Sequence, residues 1–191
     1  MNRKTKSAGA GLAVLLLILG AGACTTSPAA PAQVRPSRTA TVHSFAGGCV
    51  GTVLTDAEPP IWAKGGWSVA KGTPWPVPWA FGTQRDTVAY LFATQLVAGS
   101  SPRVDGSNNK VLWIAKDYPS GGHVVVEGRP LGQSQPVLTI AGGPSIVDVP
   151  TEGCWTFRLS WSAKGEHSSI INLQALPVGT NPMTMPSTQK P

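Results

Sequence analysis

The chain has 191 residues, and 15 Lys and Arg residues against 9 Asp and Glu residues give it a formal charge of +6. Three of the basic residues lie within the first six positions, and the others are scattered along the chain. A nucleic-acid-binding protein concentrates positive charge on one face or along one helix, so this distribution argues against that class.

The N-terminal residues have the layout of an export signal. Residues 1–6 carry three positive charges and no acid, the apolar run is densest over residues 12–19, and small residues fill positions 20–23. A secretory signal peptide has these regions in this order, whereas a membrane-spanning helix needs about 20 apolar residues. The sequence therefore predicts a signal peptide over residues 1–23. Its removal leaves 12 basic residues against 9 acidic ones, a net charge near +3.

The residue that follows this zone is Cys24. The segment Leu19-Gly20-Ala21-Gly22-Ala23-Cys24 resembles a bacterial lipobox, although Ala21 stands where Leu is usual. The resemblance implies that lipid is attached to the Cys24 thiol and that the chain is a lipoprotein, anchored at the extracytoplasmic face of the cell membrane. An ordinary signal peptide cut after Ala23 is the alternative, since Ala21-Gly22-Ala23 fits the A-x-A cleavage pattern.

Two low-complexity segments flank a central domain. Residues 24–40 are rich in Pro, Ala, Ser and Thr, which predicts a disordered tether that holds the domain clear of the lipid surface. Residues 177–191 contain four prolines among Thr, Ser and Asn and predict a disordered tail. Residues 41–176 remain as one domain, large enough to bury a core of its own.

Two cysteines lie in this domain, Cys49 and Cys154. In an exported protein an even pair favours a disulfide over a metal site or a catalytic site. Two free buried thiols are the alternative.

Short runs of β-branched and aromatic residues recur along the domain, each bounded by Gly, Pro, Asp or Ser, and they predict strands. The clearest is residues 154–161, in which apolar side chains alternate with others so that one face is Trp155, Phe157, Leu159 and Trp161. The fold class predicted is all-β, a two-sheet antiparallel immunoglobulin-like sandwich with a long Trp/Pro-rich loop. A closed barrel is the alternative. The further runs are residues 41–45, 50–54, 87–97, 110–116, 123–128, 136–140, 145–149 and 168–176.

Three ordered motifs in the second half of the domain carry a family resemblance. They are Lys110-Val111-Leu112-Trp113, Val126-Glu127-Gly128-Arg129-Pro130-Leu131 and Pro150-Thr151-Glu152-Gly153-Cys154-Trp155. Together they resemble an uncharacterised group of exported bacterial proteins with an immunoglobulin-like domain and a Gly-Cys-Trp signature. The resemblance covers about fifty residues and implies a fold, a compartment and Cys49 as the partner of Cys154, but it implies no chemistry.

Sequence motifs for catalysis or for metal binding are lacking. The chain has no G-x-S-x-G element, no H-x-x-x-H and no C-x-x-C, and its three histidines, His43, His123 and His167, stand in unremarkable contexts. We therefore predict no catalytic residues, no metal site and no cofactor.

The most unusual stretch is residues 61–82, which we call the Trp segment. It holds four of the seven tryptophans, Trp62, Trp67, Trp75 and Trp79, among prolines and glycines that disfavour a regular strand. Exposed Trp side chains favour a binding surface for an envelope protein or a glycan. Alternatively, the segment covers the open end of the sandwich with its own tryptophans. The function predicted is a binding or interaction domain in the cell envelope, with a structural accessory protein or a divergent hydrolase as the alternatives.

Overall fold

The part of the chain that the structure describes forms eleven β-strands, in keeping with the strand-and-turn pattern of the sequence. The computed structural model describes residues 42–65, 67–118 and 123–182, all of which belong to one compact unit, Arg38–Pro191. The predicted signal peptide, Cys24, the tether and most of the predicted tail lie outside these ranges. The strands are β1 (Ser44–Phe45), β2 (Leu54–Thr55), β3 (Trp79–Phe81), β4 (Thr87–Leu91), β5 (Leu96–Val97), β6 (Lys110–Ala115), β7 (Val125–Pro130), β8 (Leu138–Ala141), β9 (Gly143–Ile146), β10 (Gly153–Ala163) and β11 (Gly165–Leu176).

The strands form two sheets. The six-stranded sheet has the order β1-β2-β3-β4-β6-β9, and the five-stranded sheet has the order β5-β11-β10-β7-β8. Neighbouring strands are antiparallel except for β5 and β11, which are parallel. One short 3-10 turn, Ile61–Ala63, interrupts this pattern. Within the described ranges no helix is long and apolar enough to cross a bilayer.

The core lies between the two sheets. Trp155, Phe157, Leu159 and Trp161 of β10 are all buried, which confirms the predicted alternation. Trp113 of β6 reaches them from the six-stranded sheet, its ring centroid 5.3 Å from that of Phe157. The all-β prediction is therefore confirmed, and two sheets that share one core are consistent with a sandwich.

Three strand predictions are corrected. The predicted strand over residues 50–54 begins only at Leu54, as β2, because Val50 and Gly51 lie in a turn. The predicted strand over residues 87–97 is two strands, because the chain turns after Leu91 with Thr94 at a φ of +56° and then joins the other sheet as β5. Conversely, the Pro-rich Trp segment ends in β3, which pairs with β2 and β4 inside the six-stranded sheet. The prolines of this segment precede β3, so they remove no donor from it.

A buried amide joins the start of β6 to the other sheet. The Asn109 side chain is 1% exposed, and it accepts a hydrogen bond from the Val97 N–H at 3.0 Å and donates one to the Val97 carbonyl at 2.7 Å. This amide thereby satisfies both backbone groups of a β5 residue in a place that water does not reach.

Candidate functional site

The four tryptophans of the Trp segment do not form one exposed surface. Trp75 and Trp79 are 4% and 3% exposed, and Trp62 and Trp67 are half-buried. All four belong to a second apolar cluster on the face of the six-stranded sheet that points away from the shared core, where Val88 and Tyr90 of β4 also lie. The Trp segment therefore covers the outer face of a sheet.

Specific hydrogen bonds and ring contacts hold this cover in place. The Trp75 N–H donates to the Asp56 carbonyl at 2.7 Å, and the Trp79 indole Nε1–H donates to the Ala57 carbonyl at 2.8 Å. The Tyr90 hydroxyl donates to the Ala63 carbonyl at 2.6 Å. Burial raises the pKa of the Tyr90 phenol well above its usual range. These contacts anchor the Trp segment to β4 and to the chain just before it.

The positions of the indoles bear on both hypotheses for this segment. A binding role for Trp75 and Trp79 does not fit their burial, because a buried indole offers no face to a partner. The covering role fits, with one correction: the segment covers the outer face of the six-stranded sheet and not an open end of the sandwich. Trp75 also forms the floor of a small depression of about 270 Å³ beside Glu58 and residues 69–73.

Cys49 and Cys154 lie at bonding distance, as the predicted disulfide requires, with their Cα atoms 6.1 Å apart. A bridge across this sequence separation of 105 contributes about 4–5 kcal/mol in the chain-entropy model. It also fixes the turn after Cys49 against the five-stranded sheet, where the Cys49 N–H donates to the Asn172 carbonyl at 3.2 Å.

A concave surface lies next to this turn. It is an open groove of about 880 Å³, within the range of roughly 300–1,000 Å³ that is usual for ligand sites. Three parts of the chain line it: residues 50–60, β3 with the turn that follows it, and β11. We call this surface the groove. Its lining residues are Val50, Gly51, Thr52, Val53, Thr55, Ala57, Glu58, Pro60, Trp79, Phe81, Gly82, Thr83, Arg85, Ile170 and Asn172.

The walls of the groove are fixed along the free edge of β11. The Asn172 N–H donates to the Thr52 hydroxyl at 3.0 Å, while Thr83 donates its N–H to the Ile170 carbonyl at 2.9 Å. The turn after β3 approaches this closely because residue 82 is glycine: a Cβ there would lie 2.3 Å from the Ser169 hydroxyl. The groove therefore separates two segments that are each tied to the same strand.

Both rims of the groove carry a side chain on a left-handed backbone. Val50 has a φ of +47° and Arg85 a φ of +55°. This region is uncommon for residues other than glycine, and for a β-branched residue such as valine it is an outlier. Val50 is nevertheless 62% exposed, as is Val53, so no burial in the core compensates for the strained conformation.

Among the residues that the structure describes, Glu58 and Arg85 are the only charged residues that line the groove. Glu58 accepts a hydrogen bond from the Lys64 ammonium, which lowers the pKa of this carboxyl. The Arg85 guanidinium lies over the Phe81 ring, 4.0 Å from its centroid, and no described residue forms an ion pair with it. The unpaired charge of the groove is therefore positive.

Titratable side chains meet in two other places. The buried Asp56 carboxylate accepts from the His43 N–H at 2.8 Å and lies 2.8 Å from His43 Nδ1, which fixes the chain where it enters β1. The Asp105 carboxylate accepts from Ser107 and pairs with Arg103, and these contacts lower its pKa. Among residues 42–65, 67–118 and 123–182, no three His, Cys, Asp or Glu side chains come close enough together to hold a metal ion.

Of the groove residues, Trp79 alone was singled out from the sequence, because the others come from separate parts of the chain and share no local pattern. One local signal existed: Val50-Gly51 occupies the centre of a tight turn in which Thr52 donates to Cys49 at 3.1 Å, a place where Asn-Gly is the usual pair. No protein-family model matches the chain, and no curated protein or solved structure matches it significantly.

Proposed function

We propose that this protein is an extracytoplasmic lipoprotein whose domain binds a ligand in the cell envelope, and that the groove is the binding site. The single observation that carries the binding role is the composition of the groove. Exposed apolar side chains, Val50 and Val53, stand at one rim, and Arg85, which forms no ion pair with any described residue, stands at the other. Sites for small ligands combine an apolar lining with a few polar groups in this way.

Binding accounts for the groove better than catalysis does. Of its two charged lining residues, Glu58 is already paired with Lys64, and the guanidinium of Arg85 offers hydrogen-bond donors but no acceptor. A hydrolase needs a base within hydrogen-bond reach of a nucleophile or of a water molecule. The groove residues supply hydroxyls, Thr52, Thr55 and Thr83, without a base that would activate them.

The anchor and the finer fold assignment belong to the same proposal. The lipobox-like segment that ends at Cys24 supports lipid attachment, and the composition of residues 24–40 supports a tether. Two packed sheets and a cysteine pair next to the buried Trp155 support the immunoglobulin-like assignment.

A photo-crosslinking experiment in cells tests the binding role. A photoreactive phenylalanine analogue replaces Val53, which is exposed in the groove, or Val137, a half-exposed valine outside it, in the full exported chain. We expect illumination to attach a partner or a small molecule to the Val53 position and not to the Val137 position. Adducts of equal yield at both positions, or at neither, would contradict a binding role for the groove.

A further inference from the structure

The charge and shape of the groove also specify the class of its ligand. Its lining presents the apolar side chains of Val50, Val53, Ile170 and the half-buried Phe81, whose ring packs edge to face on the buried Trp79 with centroids 4.7 Å apart. A ligand that displaces water from these surfaces must itself be apolar over most of its length.

A sugar ring is a poor match for this lining. Sugars bind aromatic side chains by stacking on an open ring face, but the guanidinium of Arg85 already lies over the face of Phe81. Trp79 is 3% exposed and offers no open face either. A glycan would therefore have to displace Arg85 before it could stack.

The contact with Phe81 leaves the Arg85 guanidinium able to bind an anion. The Arg85 guanidinium forms no ion pair with any described residue, and its planar set of N–H donors matches the two oxygens of a carboxylate or a phosphate. The other charged lining residue, Glu58, is neutralised by Lys64, so it opposes an anion only weakly.

The strained backbone at both rims supports the same assignment. Glycine would hold the φ of +55° at Arg85 without steric cost, and asparagine would suit the φ of +47° at Val50 better than valine does. Strained residues persist where the surrounding structure imposes the conformation, and they cluster at ligand sites. Here one strained position presents a cation to the groove and the other presents an apolar side chain.

We infer that the groove binds a small anionic amphiphile, with its carboxylate or phosphate head on Arg85 and its apolar chain along Val50, Val53 and Phe81. This inference rests on the proposed binding role of the groove and specifies its ligand. A fatty acid and a phosphorylated lipid share this chemistry, and the concave shape of the groove favours a single molecule over a membrane surface.

Calorimetric titration of the purified Cys24→Ala chain, which lacks the lipidation site, tests the inference. The ligands have ten-carbon chains and are kept below their micelle concentrations: decanoate, decyl phosphate, decan-1-ol and decyltrimethylammonium. We expect the two anions to bind roughly tenfold or more tightly than the alcohol, because a charge-assisted hydrogen bond exceeds a neutral one. The cation is expected to bind most weakly, and the tighter of the two anions identifies the source of the ligand.

Substitution of Arg85 separates the contribution of the ligand's charged head to the affinity from that of its apolar chain. In Arg85→Gln the affinity for both anions is expected to fall to that for decan-1-ol, while the affinity for decan-1-ol stays the same. The control is Lys164→Gln, which removes an exposed positive charge in the turn between β10 and β11, outside the groove lining. Arg85→Lys keeps the charge without the planar fork and is expected to bind the anions with intermediate affinity.

Failure of the inference and failure of the proposed function give different results. Equal affinities for decanoate and decan-1-ol that Arg85→Gln leaves unchanged would overturn the anionic assignment while binding in the groove stands. Binding to anionic vesicles but to none of the four single-chain ligands would also overturn it. If none of the four ligands binds, the inference fails, and the crosslinking yield at Val53 then decides whether the groove has any ligand.

Discussion

Replacing Trp75 with alanine tests whether the Trp segment is a structural cover or a contact surface. The Trp75 indole is 4% exposed and lies 6.0 Å from the Trp67 ring and 6.5 Å from the Tyr90 ring, measured between centroids. Its truncation opens a cavity between the Trp segment and the outer face of the six-stranded sheet.

The expected loss of stability follows from two opposing effects. Truncation of a core Trp to Ala costs about 3–5 kcal/mol. The Trp75 Nε1–H is buried and has no hydrogen-bond partner among the residues that the structure describes, so its removal returns about 1 kcal/mol of desolvation free energy. We therefore expect Trp75→Ala to lower the free energy of unfolding by about 2–4 kcal/mol.

The assay is urea unfolding followed by far-UV circular dichroism, because the substitution alters Trp fluorescence. The matched variant Trp75→Phe keeps an aromatic ring and removes the unpaired N–H, so we expect it to cost less than about 1.5 kcal/mol. If Trp75→Ala unfolds at the wild-type urea concentration but loses ligand binding, Trp75 is a contact residue and the packing account is wrong.

Three further predictions concern other parts of the molecule. Val50→Asn is expected to raise the free energy of unfolding by a few tenths of a kcal/mol, because Asn tolerates the left-handed backbone, and to weaken decanoate binding. A loss of stability in chemical denaturation would count against backbone strain at this turn. Asn109→Ala leaves two backbone groups of Val97 unpaired and buried, so urea unfolding should show a loss of about 2–4 kcal/mol, and a loss under 0.5 kcal/mol would contradict the bridge. The raised pKa of Tyr90 leaves stability unchanged below the ordinary Tyr value of 10 and lowers it as the pH rises above 10, because the unfolded chain then loses a proton that the folded chain keeps. Thermal unfolding between pH 8 and pH 11 measures this slope, which should be shallower in Tyr90→Phe; identical slopes would show that Tyr90 does not contribute.

The parts of the fold that could be predicted from the sequence are those that local pattern determines. Alternation from Trp155 to Trp161 is a property of consecutive residues, and it placed the correct face of β10 in the core. β3 was missed because the three prolines in the six residues before it argue against a strand. They do not prevent one, since the strand starts only after the last of them. The break after Leu91 was missed because Phe92 to Val97 remains apolar enough to continue a strand, while the turn is made by Thr94, which carries no turn signal.

The candidate site could not be predicted, because no local pattern contains it. Val50 and Arg85 lie 35 positions apart in the sequence, and Ile170 is 85 positions beyond Arg85. They line one surface only because the turns after Cys49 and after β3 are tied to the edge of β11. The Trp segment attracted the binding hypothesis by composition, but composition does not distinguish an indole that faces solvent from one that faces a sheet.

The central claim is that the groove binds the ligand and that the Trp segment is structural. Amide hydrogen exchange tests it most directly, measured on the purified Cys24→Ala chain with and without saturating decanoate. We expect decanoate to slow exchange in residues 50–58, 81–85 and 168–172 and to leave residues 62–77 unchanged. Protection confined to residues 62–77, or no protection around Val53 and Arg85 at saturation, would contradict it.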